Sequence, residues 1–315
     1  MVNKRCVVLG ADGFIGRHLV AKLAENPQFE IIAIDLYPES QNIASHKFLK
    51  YDNVKIVSGN CFSKDILMNN INPGDYVFHL ASRTNPATTD NNPYLDLEQN
   101  VIPTLTLLEI CLNKKISKFI FPSSGGTVYG NQNIDQFDEN VIPQPVSPYG
   151  IGKLSIEHYL RYYHEKFGMK YIVYRISNPY GPGQRISGNQ GVIPIFIYKI
   201  INKLNLEIYG EGTMVRDYIY IYDLVGMMAE SFEKETTFTE YNLGSGNGVS
   251  INELVLQIEK HAQVKACINH VPALATYVKR NVLDISRFTR EFKIKPQISL
   301  DEGIKRTYEY IRTQY

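Results

Sequence analysis

The 315-residue chain balances 33 Lys and Arg against 32 Asp and Glu, so no global field recruits nucleic acid or an anionic membrane. It carries no apolar run of membrane-spanning length, and the run in MVNKRCVVLGADGFIG is too short for a signal-peptide core. Cys6, Cys61, Cys111 and Cys267 are scattered without a CxxC pair, which predicts reduced thiols in a cytoplasmic protein and no metal site.

In chain order, CVVLG (6–10) is a short apolar run that stops at glycine, the pattern of a fully buried parallel strand. Helical spacing follows from Phe14 through Ile15, Leu19, Val20 and Leu23. EIIAID (30–35), VKIVSG (54–59), DYVFHLA (75–81) and KFIFPSS (118–124) repeat the strand pattern, and Leu95 to Leu112 reads as one long helix. SPYGIGKLSIEHYLRYYHEKFG (147–168) reads as a helix and KYIVYRI (170–176) as another strand. This alternation predicts an α/β fold, a Rossmann-type doubly wound parallel sheet with a ligand crevice at the carboxyl ends of its strands. After Ile176 the pattern loosens into NPYGPGQRISGNQG (178–191), read as an exposed functional loop. Shorter elements follow: a helix from Val192, a strand near LEIYG (206–210), and helices near 250–261 and 299–314. The expected division is a dinucleotide-binding portion over 1–176 and a smaller C-terminal substrate-binding portion over 177–315.

Gly10-Ala11-Asp12-Gly13-Phe14-Ile15-Gly16 follows the first strand directly and opens the first helix. The first glycine allows a tight turn, the second lets backbone approach a pyrophosphate, and the third lets helix and strand pack closely. Asp35 closes the next strand 19 residues beyond Gly16. A carboxylate there accepts from a ribose 2′-OH and repels a 2′-phosphate, which favours NAD over NADP.

The glycine spacing is GxxGxxG, and with what lies downstream the chain resembles the extended short-chain dehydrogenase/reductase family over nearly its whole length. The matching pieces are GADGFIG, Asp35, FHLAS (78–82), Asn100 in LEQNVIPT, SSGGTVYG (123–130), YGIGK (149–153), RISNPYGPGQ (175–184) and RDYIYIYDL (216–224). They point to the NAD-dependent nucleotide-sugar epimerase/dehydratase branch, closest to UDP-glucose 4-epimerase-like proteins. The resemblance implies an NAD site of Gly10, Asp12, Gly13, Phe14, Ile15, Gly16, Asp35, Asn60, Cys61, Leu80, Ala81, Ser82, Asn100 and Ser123, with Tyr149 and Lys153.

Tyr149 and Lys153 stand four apart at the start of a helix and so share a face. A phenol with reference pKa near 10 is a poor base at neutral pH. An ammonium one turn away, with the nicotinamide cation, is expected to favour the phenolate. The tyrosine would then take a proton from a sugar hydroxyl, and Lys153 would hold the nicotinamide ribose.

For the substrate, the resemblance implies contacts from Ser124, Gly125, Tyr149, Asn178, Gly191, Val192, Tyr209, Arg216 and Arg280. Pro and Gly explain the turn in RISNPYG but not its Arg175 and Asn178, which are read as functional. Arg216 suits bidentate recognition of a diphosphate. Arg280, in PALATYVKRN (272–281), replaces the arginine of the family's RPGD-like turn. Gly191 stands where relatives have asparagine, and Asn60 where they have an aspartate near the adenine.

SSGGTVYG separates the chemistries on this scaffold. Dehydratases place an Asp-Glu pair just before the VYG, whereas Gly126 and Thr127 stand here and cannot titrate. The inventory fits a 4-epimerase acting on a UDP-hexose through a transient 4-keto sugar. The usual hydroxyl position is Gly125, so Ser124 is the expected helper, with Thr127 second if the strand end stays extended. A 4-ketosugar reductase using NAD(P) and a non-catalytic NAD-binding protein are the alternatives. By family analogy the setting is polysaccharide precursor synthesis. The resemblance implies a homodimer through the helices at 95–113 and 149–167; the stripe Leu105, Leu108 and Leu112 fits that interface and equally fits packing on the sheet.

Overall fold

The computed structural model describes residues 4–37, 50–186, 191–272 and 278–315, so parts of the 178–191 loop and of the 272–281 stretch lie outside the described residues. Contacts divide the chain into two compact units. The first takes the chain up to Ser124, then Ser147–Arg175 and Met228–Tyr241; the second takes Gly125–Val146, Ile176–Met227 and Asn242–Tyr315.

The main sheet is built from β1 (Lys4–Leu9), β2 (Phe29–Asp35), β3 (Val54–Ser58), β4 (Tyr76–His79), β5 (Lys118–Ser124), β6 (Tyr171–Ile176) and an edge strand, Glu240–Leu243. Its order is edge strand, β6, β5, β4, β1, β2, β3. β1 pairs in parallel with β2 and β4, β2 with β3, and β4 with β5. Val7, Val8, Leu9, Ile31 and Ile34 are fully buried. Burial on both faces is why these strands read as unbroken apolar runs rather than alternating ones. The order reverses beside β1, and the glycine turn leaves its carboxyl end there.

The helix expected from Leu95 to Leu112 is interrupted. A short turn at Tyr94–Asp96 runs into a π-helical turn, Leu97–Val101, before a regular helix, Ile102–Lys114. Pro103 has no N–H to return to the preceding turn, and the wider turn sits immediately upstream of it; such turns concentrate at functional sites. On the regular helix Leu108 is buried in the core, with Leu105 and Leu112 packed against it. The stripe thus packs on the core of the first unit, at ~1.5–3 kcal/mol for the fully buried Leu108. The exposed apolar side chains of this region are Tyr94, Leu97, Ile102, Ile151, Tyr159, Tyr162 and Phe167.

The helix Pro148–Phe167 starts where the sequence says it should. The Ser147 side chain accepts from the Gly150 N–H at 3.2 Å, Pro148 occupies the first turn, and Gly168 ends the helix in the left-handed region.

In the second unit the strand Val215–Tyr220 pairs antiparallel with Gly248–Ser250 and parallel with Arg280–Asn281 and Asn178–Tyr180. The strand Asn205–Tyr209 pairs with Cys267–Val271. Helices Val192–Ile201, Ile251–Ala262 and Leu300–Gln314 enclose a core that includes Ile197, Leu206, Leu254 and Ile304. No helix among the described residues is long and apolar enough to cross a membrane.

Candidate active site

At the carboxyl end of β1, Gly10 has φ +84°, and a Cβ there would lie 2.6 Å from the Ala81 nitrogen. A Cβ on Gly16 would strike the Gly10 carbonyl. Both positions therefore require glycine on steric grounds. Gly13 is the N-cap of the helix Phe14–Ala24 and supplies no side-chain cap, so first-turn N–H groups at Phe14, Ile15 and Gly16 are presented to an anion. Asp35 accepts from the Asp12 N–H at 2.9 Å and the Leu36 N–H at 2.7 Å. Those two bonds fix its carboxylate beside the glycine turn and leave lone pairs for a diol. Asn60 Oδ1 accepts from Arg83 at 2.6 Å and from the Phe62 N–H at 3.0 Å. Leu80 donates its N–H to the Leu9 carbonyl at 2.9 Å, and the Cys61 thiol reaches the Ile34 carbonyl at 3.3 Å. Burial pushes that thiol up to about 12, which leaves it unreactive. A glycine cradle, an open helix N-terminus and a held carboxylate together fit a dinucleotide with a free 2′-OH.

Asn100 lies in the π-helical turn and is buried. It accepts from the Arg83 N–H at 2.9 Å and donates at 2.7 Å to both Thr84 Oγ1 and Asp96 Oδ1. Thr84 also donates to Asp96, while the Ser82 hydroxyl donates to the Thr84 carbonyl at 3.0 Å. Thr104 Oγ1 donates to the Asn100 carbonyl at 2.7 Å and meets His79 Nε2 at 2.8 Å. Burial pulls His79 down to about 3, so its ring is neutral.

On the helix Pro148–Phe167, Tyr149, Lys153 and Glu157 follow at four-residue steps along one face. Lys153 Nζ donates to the Pro122 carbonyl at 3.1 Å and lies 4.7 Å from the Phe121 ring centroid and 5.7 Å from that of Tyr149. Burial draws the ammonium down to about 8 against the opposing pull of Asp96 and Glu157. The Tyr149 phenol is pushed up rather than down, first by burial and then by Asp96. Loss of hydration and the Asp96 carboxylate both disfavour the phenolate, so the expected activation of Tyr149 rests on positive charge from Lys153 and a nicotinamide.

Glu157 is buried and accepts from Arg175 Nη2 at 2.7 Å and Nε at 3.1 Å, and from Ser123 Oγ at 2.5 Å. Arg175 is only 6% exposed. Arg175, read as functional in RISNPYG, has its guanidinium engaged with the buried Glu157 carboxylate.

The strand expected to carry the SSGGTVYG hydroxyls ends at Ser124, and Gly125–Val128 forms a helical turn. Thr127 is thus on a turn rather than an extended strand end. Its Oγ1 is buried with no hydrogen-bond partner among the described residues. The Gly125 carbonyl accepts from Asn281 Nδ2 at 3.0 Å. Tyr129 is fully buried, stacks on Phe137 and donates to Asn242 Oδ1 at 2.8 Å.

Elsewhere in the second unit, Asn178 Nδ2 donates to the Asp217 carbonyl at 2.8 Å. Asp217, fully buried, accepts from the Ser245 N–H and hydroxyl at 2.8 and 2.7 Å and from the Leu283 N–H at 3.3 Å. These bonds anchor the strand that carries Arg216. Arg280 pairs with Val215, and Asn281 with Arg216, across adjacent parallel strands, so the two arginines are neighbours along the backbone but project to opposite faces of the sheet. Arg280 Nε also donates to the Asp135 carbonyl at 2.8 Å. Gly191 adopts φ +88° as the N-cap before Val192, a region asparagine also tolerates. Tyr209 is partly exposed at the end of its strand, opposite Val271.

Residues 6–244 match the model of the NAD dependent epimerase/dehydratase family. The chain is 35% identical to a dTDP-4-dehydro-6-deoxyglucose reductase of Escherichia coli, covering 97% of each. It is 28% identical to the UDP-glucose 4-epimerase of Mycolicibacterium smegmatis, over 98% of this chain and 99% of that one. Among solved structures, the UDP-glucose 4-epimerase of Thermotoga maritima with UDP-glucose superposes with a TM-score of 0.88 at 33% identity, covering 98% of this chain and 99% of that one.

Proposed function

Because the chain belongs to the NAD-dependent epimerase/dehydratase family, we propose that it inverts C4 of a UDP-hexose, UDP-glucose/UDP-galactose or the N-acetyl analogues, through a transient 4-keto sugar. The observation that carries this reading is the Tyr149–Lys153 pair on one half-buried helix face, in a chain whose 125–127 stretch supplies no carboxylate. An acid there would serve water loss; its absence leaves proton transfer at a single alcohol.

The glycine turn, the first-turn N–H groups and Asp35 would hold NAD, which would supply the hydride acceptor and donor for C4. Tyr149 takes the proton of the C4 hydroxyl and gives it back to the ketone oxygen. Because burial and Asp96 hold this phenol up, its activation depends on positive charge brought close on the other side, which Lys153 and a nicotinamide cation supply. Residues 1–176 mainly serve the dinucleotide and 177–315 mainly the nucleotide sugar. Arg216 holds the diphosphate, with Asn178, Gly191, Val192, Tyr209 and Arg280 about the rest of the nucleotide sugar. The protein works as a cytoplasmic homodimer, joined through the exposed apolar side chains around Ile102 and Tyr159; sedimentation at the mass of a single chain would refute that pairing.

Two hydroxyls compete to steady the reacting oxygen. Ser124 closes β5, whereas Thr127 Oγ1 is buried and unsatisfied, at a cost of ~1–3 kcal/mol that a substrate oxygen would offset. Thr127→Val is therefore expected to lower kcat by about tenfold or more, and Ser124→Ala by less. The opposite order returns the role to Ser124, and full activity in both variants removes it from either.

The experiment for the activity itself is incubation with UDP-glucose, UDP-galactose and their N-acetyl analogues without added reductant, following C4 configuration by NMR. The reductase reading is favoured by the 35% identity to the Escherichia coli enzyme. It predicts oxidation of added NADPH or NADH by a dTDP-4-ketosugar and no epimer from any UDP-hexose.

A further inference from the structure

The first unit buries two carboxylates around Lys153, and they are not equivalent. Glu157 is neutralised in place by the Arg175 guanidinium. Asp96, 3% exposed, is held by two neutral donors, Thr84 Oγ1 and Asn100 Nδ2. Its other oxygen abuts Gly152, where any Cβ would collide with it. Gly152 directly precedes Lys153, so the missing side chain admits the carboxylate to the helix between Tyr149 and Lys153. The Lys153 ammonium donates to a neutral carbonyl, that of Pro122, and lies over the Phe121 ring. Two anions and two cations therefore share this interior, and pairing Glu157 with Arg175 leaves Asp96 to balance Lys153.

We propose that Asp96 is a positioning residue for the Tyr149–Lys153 pair, its locked carboxylate serving as the counter-charge that keeps Lys153 an ammonium inside the fold. An unpaired buried ammonium would otherwise lose its proton. The groups facing Lys153 are Asp96 from the turn before the π helix, Glu157 and Tyr149 from its own helix, Arg175 from β6 through Glu157, and neutral His79 from β4. The carboxylate has a second effect of opposite use, since it disfavours the Tyr149 phenolate. Removing its charge lowers the proton affinity of both groups.

Asp96→Asn keeps the size and an acceptor for Thr84 and Asn100 while removing the charge. In protein carrying 13Cε-lysine, the Lys153 resonance, identified by its loss in Lys153→Met, should titrate near 8 in the wild type. In Asp96→Asn it should titrate lower by on the order of one pH unit. This reading needs no sugar and stands whether or not the proposed epimerisation does. The rate arm rests on that proposal: both limbs of the kcat profile should move to lower pH together, because Tyr149 and Lys153 are released in the same direction. Thr84→Val, which loosens the carboxylate but keeps its charge, should leave the limbs in place. Asp96→Ser reads the same shift should the amide disturb the fold. An unmoved Lys153 titration in both Asp96 variants would overturn the proposal, and a rate loss with that titration unmoved would mark Asp96 as merely architectural.

Discussion

Tyr149→Phe is expected to lower turnover by about a thousandfold or more while NAD loading changes by less than about threefold. The substitution removes one oxygen from a half-buried side chain and leaves the ring, the helix and its Ser147 cap intact. The glycine turn, Asp35 and the first-turn N–H groups that fit the dinucleotide do not involve the phenol. Catalysis and cofactor retention should therefore separate cleanly in this variant. Quantifying NAD released on denaturation, beside C4 inversion measured on the same preparation, checks both halves. Inversion within tenfold of the wild type would remove Tyr149 from the reaction.

Glu157→Gln is expected to cost stability most, by about 3–5 kcal/mol. The change leaves Arg175, 6% exposed, without its carboxylate and weakens the 2.5 Å bond from Ser123. A buried charge stripped of its partner is far worse than a pair replaced whole. The double variant Glu157→Leu with Arg175→Met should accordingly recover much of the loss. Urea unfolding of the three proteins gives the comparison. Equal stability of single and double variants would show that the pair is not an isolated buried couple. Because Glu157 also pulls on Lys153, the single variant should in addition show a lower Lys153 titration, less so than Asp96→Asn.

Most of the sheet was legible because β1, β2, β5 and β6 are buried on both faces and so read as apolar runs, whereas the polar edge strand Glu240–Leu243 gave no such signal. The glycine turn was legible because it lies between the first such run and a helical spacing, with Asp35 at the end of the next. Tyr149 and Lys153 could be found from their place after SSGGTVYG. What hid was whatever depends on partners distant in sequence. Arg175 looked available because its partner, Glu157, lies 18 residues upstream on another element. Asp96 looked like an ordinary helical acid, since nothing local announces that Gly152 receives it. The π turn and the helical turn at Gly125–Val128 follow from backbone demands that neither periodicity nor a lone proline discloses. The Leu105, Leu108 and Leu112 stripe has the same pattern whether it meets a sheet or a second chain, and only the fold decides between them. Composition gave no hint of the charge balance around Lys153, because total charge is silent about which ions are buried.

The central claim is that one hydrogen leaves C4 and returns to it within the same protein, with no reductant consumed. UDP-hexose incubated with the protein in D2O, with no added cofactor, tests this directly by 1H NMR at H4. The prediction is an equilibrium mixture of C4 epimers in which H4 remains fully protium on both sugars. Inversion that appears only with added NADH or NADPH, or deuterium accumulating at C4, would contradict it.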